Sequence, residues 1–228
     1  MSILLLIAFV VLVITVQYII QVVRKRQAGQ TSIPANTVQQ PSIDMKVDDY
    51  LLPEGLFFHR SHTWAQVQES GFVKIGIDDF TQKVFREIET VQLKAAGEKV
   101  NQGDPILTVQ HGENTIELKA PVSGEIISTN AKLSTNPAII KNSPYEDGWI
   151  YQLKPSQLAK EIKSLRIAEN ARDWLKNEIN RLREFLMFQF SEGRVLQNTM
   201  ADGGIPAEGI MEYLDKGSWK KLNDAFFV

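Results

Sequence analysis

Cysteine is absent from all 228 residues. That excludes disulfide stapling, thiolate zinc sites and thiol nucleophiles. Histidine is scarce too, with only His59, His62 and His111. His59 and His62 stand three apart in a stretch that reads as extended, where such spacing does not converge on one point. No acidic ligand pattern completes a set around them, so no metal is expected. Charge of one sign is also lacking. Twenty-five Lys and Arg against 27 Asp and Glu leave a net charge of -2 and a pI near 6.0. Bulk electrostatics therefore gives no case for nucleic acid. There is no phosphate-cradling glycine loop and no serine–histidine–acid order, and no pair among the many carboxylates stands out as catalytic. These absences describe a chain with no catalytic residues and no cofactor, rather than an enzyme.

What is present is unevenly distributed. Residues 2–23 carry no charged side chain and, as a helix, would span roughly 33 Å, about the hydrocarbon thickness of a bilayer. Arg24, Lys25 and Arg26 follow at once. A cleaved secretory signal has its basic residues first, so this order predicts a retained anchor. The positive-inside rule puts the N-terminus outside and the rest in the cytoplasm. Gln17 and Gln21 stack on one face of that helix, where buried amides would meet a neighbouring transmembrane helix. Residues 27–50 are poor in apolar side chains and punctuated by Gly29, Pro34 and Pro41. They read as a tether, with folded structure beginning around Tyr50.

From Leu56 to Leu153 short apolar or alternating runs are separated by turn residues. Phe72 to Ile77, Ile106 to Val109, Thr115 to Lys119, Ile126-Ile127 and Trp149 to Leu153 predict strands. Turns are signalled at residues 69–71, 96–98, 101–104, 111–114 and 123–124. Asp78 to Val84 breaks the pattern and predicts a short helix, capped by Asp78 or Asp79 and burying Phe80 and Val84. Trp64 and Trp149 read as packing residues.

These pieces, in their order, resemble the glycine cleavage system H protein family. Pro53-Glu54-Gly55-Leu56 opens the resemblance, and His62-Thr63-Trp64 stands where the family has His-Glu-Trp. Val73-Lys74-Ile75-Gly76-Ile77 followed by Phe80, then Val91-Gln92-Leu93, Gly97 and Val100, continue it. Ala120-Pro121-Val122-Ser123-Gly124-Glu125, Pro144-Tyr145-Glu146-Asp147-Gly148-Trp149 and Leu153-Lys154-Pro155-Ser156 are close matches. The resemblance implies a flattened β-barrel sandwich of the lipoyl/biotinyl type. It also implies a lipoylated lysine at a hairpin tip that carries an aminomethyl group between the other glycine cleavage enzymes. Counting back from Ala120 puts Glu113 on that lysine, and a carboxylate has no amine with which to form the lipoyl amide. Lys99 precedes the hairpin and Lys119 ends its second strand, so both read as ordinary surface lysines. Gly112-Glu113-Asn114 then reads as a stable turn and a candidate contact surface.

Beyond the domain, apolar residues from Leu158 to Leu186 recur at spacings of three or four, as one helix or as two with a break near Ile167 to Asn170. Trp174, Phe185, Trp219, Phe226 and Phe227 add aromatic surface. It would either complete the chain's own core or dock on another subunit. The expected organisation is an anchor at 1–26, a linker at 27–50, an H-protein-like domain at 51–157 and a helical extension at 158–228. The expected fold class is mostly β, a flattened β-barrel sandwich with one N-terminal transmembrane helix and a C-terminal α-helical extension. The expected function is a non-catalytic, non-lipoylated, membrane-tethered structural or adaptor subunit. Its expected partners are membrane lipid and the protein subunits of a larger membrane-associated complex. The alternative is a regulatory domain that mimics a lipoyl carrier, or an unusual carrier in glycine or one-carbon metabolism.

Overall fold

The structure, a computed structural model, describes residues 45–85, 87–192 and 209–227. All of them fall in the second of the two units into which the chain divides after Gln40. Two antiparallel sheets form its body. The larger has the order β1 (Phe57–Phe58), β2 (Thr63–Val67), β3 (Val73–Ile77), β9 (Tyr151–Pro155), β8 (Gly124–Thr129) and β5 (Lys99–Val100). The smaller has β6 (Pro105–His111) between β4 (Thr90–Leu93) and β7 (Asn114–Lys119). Alternation along β7 buries Ile116 and Leu118 and leaves Thr115 and Glu117 exposed, as a strand with one face on a core requires.

Trp64 on β2 fixes the centre of the larger sheet. It is fully buried, and its indole N–H donates to the carbonyls of Ile77 at 2.9 Å and Pro144 at 3.1 Å. Gly76 lies directly opposite on β3, where a Cβ would come within 2.6 Å of the indole ring. Glycine is there to make room for the tryptophan, not to make a turn.

Helix α1 (Asp79–Val84) follows β3, and Asp78 is its N-cap, accepting from the Thr81 amide at 3.0 Å. Phe80 and Val84 are buried on it. Helices α2 (Lys132–Thr135) and α3 (Ile139–Asn142) are single turns before β9. The apolar stripe after β9 is two helices, α4 (Leu158–Glu161) and α5 (Ala168–Ser191). Between them a 3-10 turn leads to Arg166, whose backbone pairs with Phe58. Helix α6 (Lys216–Phe226) closes the described chain, capped by Asp215, which accepts from Ser218 N–H at 2.7 Å.

Two expectations about the fold require correction. The fold is mixed β/α rather than mostly β, because the C-terminal helices are packed into the chain's own core. Leu175, Ile179, Leu182, Leu186 and Leu222 are all buried. Nor does the structure supply a transmembrane helix. Among the described residues no helix is long and apolar enough to cross a membrane, and α5, at 24 residues, carries charged side chains along its length. The expected anchor at residues 2–23, with Gln17 and Gln21, lies outside the described residues. The described packing begins at Met45, and both Met45 and Tyr50 are buried.

Candidate functional site

The β6–β7 hairpin is the feature that the fold presents most plainly. Its strands pair from Leu107 with Leu118 to His111 with Asn114, so Gly112 and Glu113 form a two-residue tip. Gly112 takes a φ of +58°, the left-handed conformation such tight hairpins need. The Gly112 amide donates to Glu89 at 3.0 Å, and its carbonyl accepts from Gln110 Nε2 at 3.0 Å. Glu113 extends from this tip with its side chain 88% exposed, and Lys216 Nζ of α6 lies 3.6 Å from its carboxylate. An exposed pair of this kind contributes little stability. Residue 113 offers a carboxylate where a lipoyl amide requires an amine, so the tip does not fit a lipoyl group.

A second cluster gathers around His62, which is completely buried and has φ +61°. Histidine, asparagine and aspartate tolerate that conformation better than other side chains with a Cβ. The His62 ring donates from Nδ1 to Asp78 Oδ2 at 2.8 Å and stacks on Phe80 with centroids 4.1 Å apart. Trp174 of α5 stands 4.9 Å from it and Phe227, just past α6, stands 5.6 Å away. His62 Nε2 is buried and makes no hydrogen bond among the described residues. Sequence reasoning took His62 as part of a motif and as a rejected metal ligand, and Asp78 or Asp79 as a helix cap, without joining the two. The fold makes them one unit.

The aromatic residues offered to a partner in the sequence reading are turned inward. Trp174, Trp219, Phe226 and Phe227 are buried, and Phe185 is half-buried and packs edge-on against Phe226 at 6.3 Å. They complete the chain's own core.

His59 sits in the loop before His62 with its imidazole pKa lowered to about 4. Burial is the main cause, and the positive charges of Arg60, Arg166 and Lys119 add to it. In the unfolded chain the ring titrates near 6.5, so the unfolded state binds more protons between those values. Stability is full above pH 6.5 and falls as pH drops towards 4. The full extent is roughly 3 kcal/mol, at about 1.4 kcal/mol per pH unit. Urea unfolding at pH 4.5 and 7 should show this loss, and His59→Asn should reduce it substantially. An unchanged slope in the variant would assign the loss to other groups.

Comparison with known proteins gives this geometry a context. The family model "Glycine cleavage H-protein" matches residues 56–178, more than half of the chain. A probable glycine cleavage system H protein of Pyrococcus horikoshii is 39% identical over 132 residues, covering 58% of this chain and 98% of that protein. A glycine cleavage system H protein of Oceanobacillus iheyensis is 38% identical over 119 residues, 52% of this chain and 93% of the other. The crystal structure of a glycine cleavage system H protein from Mycobacterium marinum matches with a TM-score of 0.47 at 25% identity, over 56% of this chain and 98% of that one.

The family model and the Pyrococcus relative overturn the reading of a membrane-anchored divergent subunit. The relatives are described as H proteins of glycine cleavage, and this chain covers nearly the whole of the Pyrococcus protein. Membrane lipid as a partner and a single-pass topology rested on residues 1–26 alone, and no described helix supports them. The chain belongs to the glycine cleavage H-protein family and, like the carriers of that family, is not an enzyme.

Proposed function

We propose that this chain serves glycine cleavage metabolism as a non-catalytic protein of lipoyl-carrier type. It docks its β6–β7 hairpin on the proteins that receive an H protein. The observation that carries the reading is the hairpin itself, which pairs in register up to a two-residue tip that presents an exposed glutamate at residue 113. A hairpin recognised by shape needs no amine at its tip. Gly112, Glu113 and Asn114 then act as a contact surface, and the chain regulates by competing with a lipoylated H protein for the same partner. Binding should be measured between the purified chain and each glycine cleavage protein of the same organism, with its H protein as competitor. Saturable binding displaced by the H protein is expected. Failure to bind any of them, or binding that the H protein does not displace, overturns the reading.

A substitution at the tip tests the presentation directly. Glu113→Lys places an amine at the most exposed point of the hairpin. A lipoate-attaching enzyme that acts on H proteins should then modify residue 113, read as a lipoyl mass increment on the peptide that contains it. A folded Glu113→Lys protein that stays unmodified would show that this tip is not presented as a carrier's is.

A further inference from the structure

Residues 45–52 and 209–227 both lie outside the family match, which spans residues 56–178. Both seat on the same short helix, α1. From the N-terminal side, Tyr50 stacks on Phe80 at 6.1 Å, and the Leu51 amide donates to Asp79 Oδ2 at 2.8 Å. The Tyr145 hydroxyl locks that contact. It donates to the Leu51 carbonyl at 2.7 Å and accepts from the Asp79 amide at 2.9 Å. From the C-terminal side, Phe226 and Phe227 meet the same Phe80 ring at 5.9 and 6.5 Å. Lys83 holds both arms at once. Its ammonium donates to the Asp49 carbonyl and lies 4.8 Å from the Tyr50 ring centroid. Its backbone carbonyl accepts from the Gly209 amide at 2.8 Å.

The polar atoms around this seat supply a second, independent observation. Among the described residues, five buried side-chain polar atoms have no hydrogen-bond partner, and none of the five lies in a strand. Four of them belong to α1, to α6, or to His62, which stacks on Phe80 at 4.1 Å. These are Gln82 Oε1, Trp219 Nε1, Asn223 Oδ1 and His62 Nε2. A buried polar atom without a partner forfeits the hydrogen bonds it would make in water. Apolar contacts therefore favour seated arms, while the unpaired atoms favour their release. The sheets face no such conflict, so the seat on α1 is where the molecule gives first.

We propose that residues 45–52 and 209–227 form a two-armed clasp on α1, which opens as one unit before the sheets unfold and uncovers Phe80 and His62. The arms are coupled because they share the Phe80 ring and Lys83. Lifting one removes a wall from the seat of the other. Whatever draws residues 45–52 away from α1 thereby also loosens Phe227 from His62. The clasp uses no residue of the hairpin tip and stands whether or not the glycine cleavage reading does.

Native-state hydrogen exchange of the full-length chain, read residue by residue in low urea, tests the clasp. The amides of Leu51, Gly209 and Trp219 report on the arms. The Ile150 amide, which donates to Ile75 O at 2.7 Å, reports on the larger sheet. The arm amides should share one opening equilibrium, populated at least about tenfold more than the opening that exposes Ile150. Tyr50→Ala should raise exchange at Gly209 and Trp219, on the opposite arm, about tenfold. If that variant does not fold, Lys83→Ala loosens the same arm and leaves its backbone carbonyl to Gly209, for a rise of about threefold. Asn223→Leu removes one of the unpaired atoms and should slow exchange at Leu51 about threefold. Equal protection of the arm amides and Ile150 would mean that no separate clasp exists. Exchange on one arm that ignores substitutions on the other would mean that the arms fray independently. Either result overturns the proposal.

Discussion

Phe227→Ala is expected to lower the free energy of unfolding by about 3–5 kcal/mol, a large part of the marginal stability of a domain this size. Phe227 is fully buried and meets both His62 and Phe80, at centroid distances of 5.6 and 6.5 Å. Truncating it leaves a cavity beside His62 Nε2, the buried ring nitrogen without a partner. Water entering that cavity can hydrogen-bond to the nitrogen, so the His62 ring resonances should move as stability falls. Phe188→Ala is the control. That side chain lies on α5 but is 56% exposed, and its removal should change stability by less than about 0.5 kcal/mol. Urea midpoints of the two variants give the comparison. Equal effects would mean that the end of α6 does not close the His62 pocket in solution.

The source of that wall matters for how the family fold is used here. The family match ends at residue 178, inside α5, so α6 and Phe227 lie beyond it. This chain covers its β-rich body with a C-terminal helix of its own. Lys216 at the start of α6 also lies beside Glu113, so one helix touches both the hairpin tip and, at its other end, the His62 cluster. The Lys216–Glu113 pair is nearly fully exposed, so loss of α6 should be felt at the His62 cluster far more than at the tip.

Much of this was legible in the sequence, for reasons that can be named. The β7 strand showed itself because Ile116 and Leu118 alternate with polar neighbours, and β7 is buried on one face only. A cap at Asp78 or Asp79 showed itself because a short acidic side chain before Phe80 and Val84 has few other uses, and the structure chooses Asp78. The hairpin tip followed from Gly112, whose left-handed backbone is a local requirement. The destinations of amphipathic faces were not legible. A stripe from Leu158 to Leu186 states that a helix has an apolar side, but not what covers it. Periodicity alone cannot distinguish the chain's own sheets from a partner. Arg166 was missed because its role depends on a backbone bridge to Phe58, a contact between residues distant in sequence. The His62–Asp78 pair escaped for the same reason. Met45 stands in a polar stretch whose average composition hid a core residue five positions before Tyr50.

Asp78→Ala should be the most disruptive polar substitution in the molecule, costing about 3–5 kcal/mol. Asp78 is 2% exposed and serves three donors. Oδ2 accepts from His62 Nδ1 at 2.8 Å, while Oδ1 accepts from the Thr81 amide at 3.0 Å and the Thr81 hydroxyl at 3.1 Å. Losing the cap alone costs about 1 kcal/mol. The larger part comes from His62, which would be left fully buried with neither ring nitrogen paired. Asp78→Asn keeps one carbonyl oxygen and so retains either the cap or the histidine contact, for about half the loss. A double-mutant cycle with His62→Asn separates these contributions, since asparagine accepts the left-handed backbone at position 62 that a β-branched residue would not. With the imidazole gone, Asp78→Ala should lose little more than its capping energy. Strictly additive losses in that cycle would show that Asp78 and His62 are stabilised separately, and that the α1 cap and the pocket under α6 are not one unit.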